Sequence, residues 1–175
     1  MFDFKFNITA IKIILLLILV TFFLPFLAVS CGANDAGTNL SGFEISTGKN
    51  IGGISYGGNI LGFIIIIPPL ILFAPAFFIE RIRKIIYYNI LKTVFFIVPV
   101  FDIFVAFIIK YAFKAAVVKA IYEKSAESDN NFIARGIAEI ARITEVRVKS
   151  GFVFYILLNA ALFVFAVMNY FIKRE

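Results

Sequence analysis

CGANDAGTNLSGFEISTGKNIGGISYGGN, residues 31–59, is a polar, glycine-rich island in an otherwise apolar chain. Eight of the eleven glycines lie between Gly32 and Gly58. The reading of this stretch decides the fold, because long apolar runs lie on both sides of it. As a loop outside a membrane, it is delivered and framed by spans. Within it, Phe43-Glu44-Ile45-Ser46-Thr47 alternates apolar and polar residues, the period-2 signature of a half-buried strand. Gly48 ends that run. Residues 51–56 read as a second short strand, interrupted at Gly52-Gly53 and closed by Gly57-Gly58, where glycine permits tight turns. A phosphate-cradling loop would open a helix and end in Lys-Ser or Lys-Thr. Neither is present, so turns of a small β meander are the better reading.

Outward from the island, the apolar runs give four spans. The first covers about residues 10–30, with Pro25 near its far end, where a kink is tolerable. The second, 60–79, carries Pro68, Pro69 and Pro75, which remove backbone donors and should bend or break the helix. Other helices should cover such a break. The third is placed at 93–112 and the fourth at 152–172. Between these last two, Phe113, Ala116, Val117, Ala120 and Ile121 recur at helical spacing, so an amphipathic helix continues out of the membrane. A second amphipathic helix is expected over 131–143. The period then switches to two over Thr144–Lys149, a strand signal stopped by Gly151. The expected fold is therefore an all-α membrane protein. One domain, 1–175, has four transmembrane helices and a small extramembrane cap of short β-strands and amphipathic helices drawn from 31–59 and 113–151. Phe43–Thr47 or 51–56 is expected to pair with Thr144–Lys149, since neither run is stable alone.

Composition agrees with a membrane chain. Of the 175 residues, 62% are hydrophobic, above the ordinary soluble range, and mean hydropathy is +0.98. Histidine is absent, which removes imidazole bases and most zinc sites. The single cysteine excludes an internal disulfide and any CxxC motif. No catalytic dyad is spaced recognisably, so no enzyme activity, cofactor or metal is expected. The net charge of +6 flanks apolar runs, pointing to anionic lipid headgroups and not to nucleic acid.

Polar groups inside the spans are the candidate site. Asp102 lies in mid-span, three residues after Pro99, at an insertion cost of about 2.5–3.5 kcal/mol. It lies roughly 16 Å deep, and Asn159 roughly 10 Å, counted along their helices. Tyr155, Asn159, Leu162, Ala166 and Asn169 share one face of the last span, the side expected to meet other helices. Asp102, Asn159 and Asn169 are therefore the candidate intramembrane polar site. The bland reading of Asp102 is a neutral or hydrogen-bonded carboxyl that fixes helix register. The sharper one is an ion or proton site beside the proline-rich second span. Cys31, after Leu27-Ala28-Val29-Ser30, is a possible lipidation residue on a poor match to a lipoprotein cleavage site.

An even number of spans puts both termini on one side. Lys and Arg number eight in the termini and the 80–92 turn, against nine in the long loops, one of which also carries five acids. The expectation is cytoplasmic termini. Leu24-Pro25-Phe26, Val29-Ser30-Cys31-Gly32, Ser41-Gly42-Phe43, Thr47-Gly48, the strand into Gly151-Phe152 and a last span with Asn159 and Asn169 together carry a resemblance. The chain resembles a set of small, uncharacterised bacterial four-span membrane proteins with an SCG…SGF…TG first external loop. The resemblance implies this fold and sidedness, in a bacterial inner membrane, and no activity. Asp102 and the three prolines depart from the set. The function expected is an interaction, structural or accessory role, the cap contacting a protein partner or further copies of the chain. A small transporter or channel subunit using Asp102, and a lipoprotein lipidated at Cys31, are the alternatives.

Overall fold

The apolar run that should have made the first span does not stay helical to its end. The computed structural model describes residues 4–31, 37–51, 54–56, 60–78, 85–126 and 131–171. In it α1 spans Phe4–Thr21, and β1, Pro25–Cys31, follows after a short turn. Proline has no N–H to donate and forces its predecessor toward extended backbone, so Pro25 ends the helix instead of kinking it. Phe26 to Ser30 are all buried in the strand. A strand covered on both faces reads as an unbroken apolar run, which periodicity cannot separate from a helix.

β1 is the centre of a three-stranded antiparallel sheet, order β2-β1-β5, with β2 at Thr38–Ser41 and β5 at Thr144–Val148. Leu27 pairs with Val148, Val29 with Val146 and Cys31 with Thr144. On the other side Ala28 pairs with Asn39 and Val29 with Thr38. Thr144–Val148 is thus a strand, but its partner is the tail of the supposed first span, and neither 43–47 nor 51–56. Phe43–Thr47 is itself helical, as part of α2, Gly42–Thr47. The Ser41-x-x-Glu44 signature outweighs five residues of alternation. Ser41 Oγ accepts from the Glu44 N–H at 3.2 Å, while a Glu44 carboxylate oxygen accepts from the Ser41 N–H at 2.8 Å. Gly48, at φ 91°, ends the turn, a backbone that side chains rarely adopt. The run 51–56 is two strands: β3, Lys49–Ile51, and β4, Ile54–Tyr56, form a hairpin with Ile51 opposite Ile54.

The remaining helices are α3 (Ile60–Phe78), α4 (Ile85–Ala126), α5 (Asn131–Ile143) and α6 (Ser150–Phe171). α3 is helical throughout despite its prolines. α4 joins the expected third span to the amphipathic helix in 42 unbroken residues with Pro99 inside. α1 packs on α3 and α6, and α4 packs on the same two. Each helix hides one face in a common core: Leu15 and Ile18 of α1, Ile65 and Leu72 of α3, Ala106 and Ile109 of α4, Tyr155 and Leu162 of α6. The sheet and α2 gather where α1 ends and α3 and α6 begin. Close contacts fix that end. A Cβ on Gly62 would stand 2.6 Å from Ser46 Cα, and one on Gly151 2.8 Å from the Pro25 carbonyl oxygen.

The fold is therefore mostly helical, with a small sheet. Two described helical stretches, Thr93–Glu123 and Ser150–Met168, are long and apolar enough to cross a membrane. The apolar stretches of the other two, Thr9–Thr21 and Gly62–Phe73, are shorter. Over the described residues, length and hydropathy thus support two spans, against the four expected from the sequence.

Candidate functional site

α4 and α6 bring Asp102 and Asn159 to the same core, each about 1% exposed. Tyr155, one turn before Asn159 on α6, is fully buried with them. The fourth contributor comes from α3. Pro69 has no N–H, so the carbonyl of Ile65, four residues earlier, cannot receive its normal helical bond. The Tyr155 hydroxyl donates to that carbonyl at 3.4 Å. The proline therefore exposes a backbone acceptor, and a side chain on another helix reaches it.

The site is rich in oxygen and short of donors. The Tyr155 side chain lies beside both the Asp102 carboxyl and Asn159, but its hydroxyl proton goes to the Ile65 carbonyl. Asn159 donates one of its two side-chain N–H groups to the Tyr155 carbonyl of its own helix, at 3.0 Å. Both carboxyl oxygens of Asp102 and the amide oxygen of Asn159 are buried with no hydrogen-bond partner. Such acceptors are costly to leave unmade. A proton on Asp102 would add one donor to this set, and a cation could be shared among its oxygens. Among the described residues, no three His, Cys, Asp or Glu side chains stand together to hold a metal ion.

An aromatic group closes the sheet end of this cluster. Phe22 packs edge-on to Tyr155 with ring centroids 5.4 Å apart, Phe26 does so at 5.6 Å, and Phe152 lies 5.6 Å from Phe26. Phe26 belongs to β1 and Phe152 to α6, so the sheet and the polar cluster share one packed layer. Beyond it, in the cap, the Lys49 ammonium bonds a Glu44 carboxylate oxygen at 2.6 Å. That bond, with the Ser41 N–H, holds the Glu44 carboxyl below its usual range.

Of the residues singled out in the sequence, Asp102 and Asn159 are thus brought to one core. Asn169 lies in α6 near its end, and its side chain is outside the described residues. Cys31 is the last residue of β1, opposite Thr144; its side chain is likewise outside them. Tyr155 was visible on the stripe but not as a site residue. The Ile65 carbonyl had a signal too, the proline four positions later. Compared with protein-family models, curated proteins and solved structures, the chain matches none.

Proposed function

We propose that the chain is a small integral membrane protein in which α1, α3, α4 and α6 all cross the bilayer as a four-helix bundle. Its cap serves an interaction or structural role toward a protein partner or further copies of the chain. The inside-out distribution of side chains carries this reading. The polar residues Asp102, Tyr155 and Asn159 are buried, while Leu16, Leu17, Ile67, Ile71, Ile97, Phe104, Leu157 and Val164 face outward on all four helices. A soluble protein would reverse that arrangement. α1 and α3, at 18 and 19 residues, reach about 27 and 28 Å. That is close to the hydrocarbon thickness of about 30 Å. The cap lies outside and the termini lie in the cytoplasm, as the basic short segments favour in a bacterial inner membrane.

In this reading the Asp102 cluster is a lock. A neutral acid donating to Asn159 would fix α4 against α6, while Tyr155 fixes α6 against α3. No catalytic role follows from it. The five oxygens of Asp102, Asn159, Tyr155 and Ile65 favour a second reading, a small transport or channel subunit with a proton or cation held here. The lipoprotein reading is weaker. Cleavage before Cys31 would remove α1 and the central strand of the sheet.

Cysteine accessibility tests the topology in a Cys31→Ser background. Thr47→Cys and Glu123→Cys should react with an impermeant reagent from outside, and Lys84→Cys and Lys173→Cys should stay protected. Labelling of the first two from opposite sides would end the four-helix reading. Flux separates lock from ion site: reconstituted vesicles should show none. Cation- or proton-dependent flux that Asp102→Asn abolishes would establish the second reading.

A further inference from the structure

We propose that a groove between α4 and β5 binds the phosphate of an anionic phospholipid at the membrane surface. The inference rests on the membrane reading above. The groove, about 260 Å³, is lined by Lys110, Tyr111, Lys114, Glu145 and Val146. Lys110 and Lys114 are one helical turn apart on α4, and both line the groove. Among the described residues neither has a carboxylate partner. The Lys110 ammonium lies 5.7 Å from the centre of the Tyr111 ring. The one acid in the groove is already engaged, since Glu145 accepts from Arg147 at 3.0 and 3.1 Å. Two neighbouring like charges whose one nearby acid is already paired favour an anion between them.

Position argues for a lipid. β5 runs directly into the start of α6 at Ser150, so the groove is level with the entry of α6 into the bilayer. One and two turns back along α4, toward Asp102, Phe104, Phe107 and Ile108 are exposed, as is Tyr111 itself. An acyl chain would lie along that apolar surface with its phosphate between the lysines. Tyr111 would sit at the interface that aromatic residues favour. Juxtamembrane lysines gain about fivefold each in affinity for anionic headgroups, or about thirtyfold for two.

The test is native mass spectrometry of the full chain in a neutral detergent, with equal amounts of dioleoyl phosphatidylglycerol and dioleoyl phosphatidylcholine. The wild type should prefer phosphatidylglycerol. Lys110→Gln and Lys114→Gln should each weaken that binding about fivefold, and the pair about thirtyfold. Lys119→Gln removes the same charge from a site paired with Glu123 at 3.6 Å, and should change binding less than about twofold. Equal losses in all three single variants, or undiminished binding in the pair, would overturn the proposal. So would displacement of the lipid by millimolar inorganic phosphate, which would make the ligand free phosphate. Alkaline extraction of native membranes separates the two levels. A chain that stays in the pellet yet shows no lipid preference overturns this inference alone; a chain released to the supernatant overturns both.

Discussion

Tyr155→Phe should destabilise the protein through a carbonyl on a different helix, and Pro69→Ala should repair most of the damage. The substitution keeps the ring contacts with Phe22 and Phe26 and removes only the hydroxyl. Ile65 then loses the donor that replaces the missing proline N–H. An unpartnered buried acceptor costs about 1–3 kcal/mol. The bond is long at 3.4 Å, so the lower end, about 1 kcal/mol, is expected. Pro69→Ala returns an N–H to the position four residues after Ile65. In that background Tyr155→Phe should cost about 1 kcal/mol less than in the wild type. The assay is reversible unfolding in detergent micelles, followed by far-ultraviolet circular dichroism, on all four members of the cycle. Costs that add within about 0.3–0.5 kcal/mol would show that the hydroxyl does not serve the carbonyl, and the argument would fail.

Asp102→Asn should unfold at nearly the wild-type denaturant concentration in the same assay. Asp102→Leu should lose about 1–3 kcal/mol, because it removes the donor that the lock reading assigns to Asn159; equal stability of the two variants would count against the lock. Phe26→Ala empties the layer between the sheet and Tyr155 and should cost about 3–5 kcal/mol. A cost below about 1 kcal/mol would mean that β1 does not close the bundle. Glu44 has a carboxyl held below its usual range, first by Lys49 and then by the Ser41 N–H. Its contribution is therefore fully present above the unfolded value of about 4.3 and is lost as pH falls through the lower folded value. Titration of the Glu44 carboxyl by nuclear magnetic resonance should show a midpoint below that of an ordinary glutamate, and Lys49→Ala should bring it back up.

The elements that were legible carry a period. Residues 131–143 read as a helix and 144–148 as a strand because the spacing of apolar residues changes at Thr144. Asp102 and Asn159 could be brought toward one another by counting depth along two helices. β1 was hidden because Phe26, Leu27, Ala28 and Val29 are all buried, which removes the alternation that marks a strand. α2 reads as a strand from its sequence because a strand pattern and one and a half helical turns are indistinguishable over five residues. The deciding sign was Ser41 and Glu44, a pair that alternation ignores. Tyr155 and Ile65 needed a different kind of accounting, a search for the acceptor that each proline leaves behind. For Pro69 that is arithmetic on the sequence, although which side chain answers it depends on the packing of α3 against α6.

The central position of β1 has a consequence for biogenesis. Leu27 pairs with Val148, about 120 residues later in the chain. At the ribosome, β1 emerges directly behind α1, and its β5 edge must wait for four further helices, α2 to α5, before it is covered. During that interval an apolar strand has a free row of backbone groups, the kind of edge that invites pairing with another chain. β2 follows within ten residues and covers one side early. The other side closes only when β5 arrives, immediately ahead of α6. Translation of the last helix and sealing of the sheet are therefore one step. A pause or truncation between α4 and α5 would leave the nascent chain in its most aggregation-prone form.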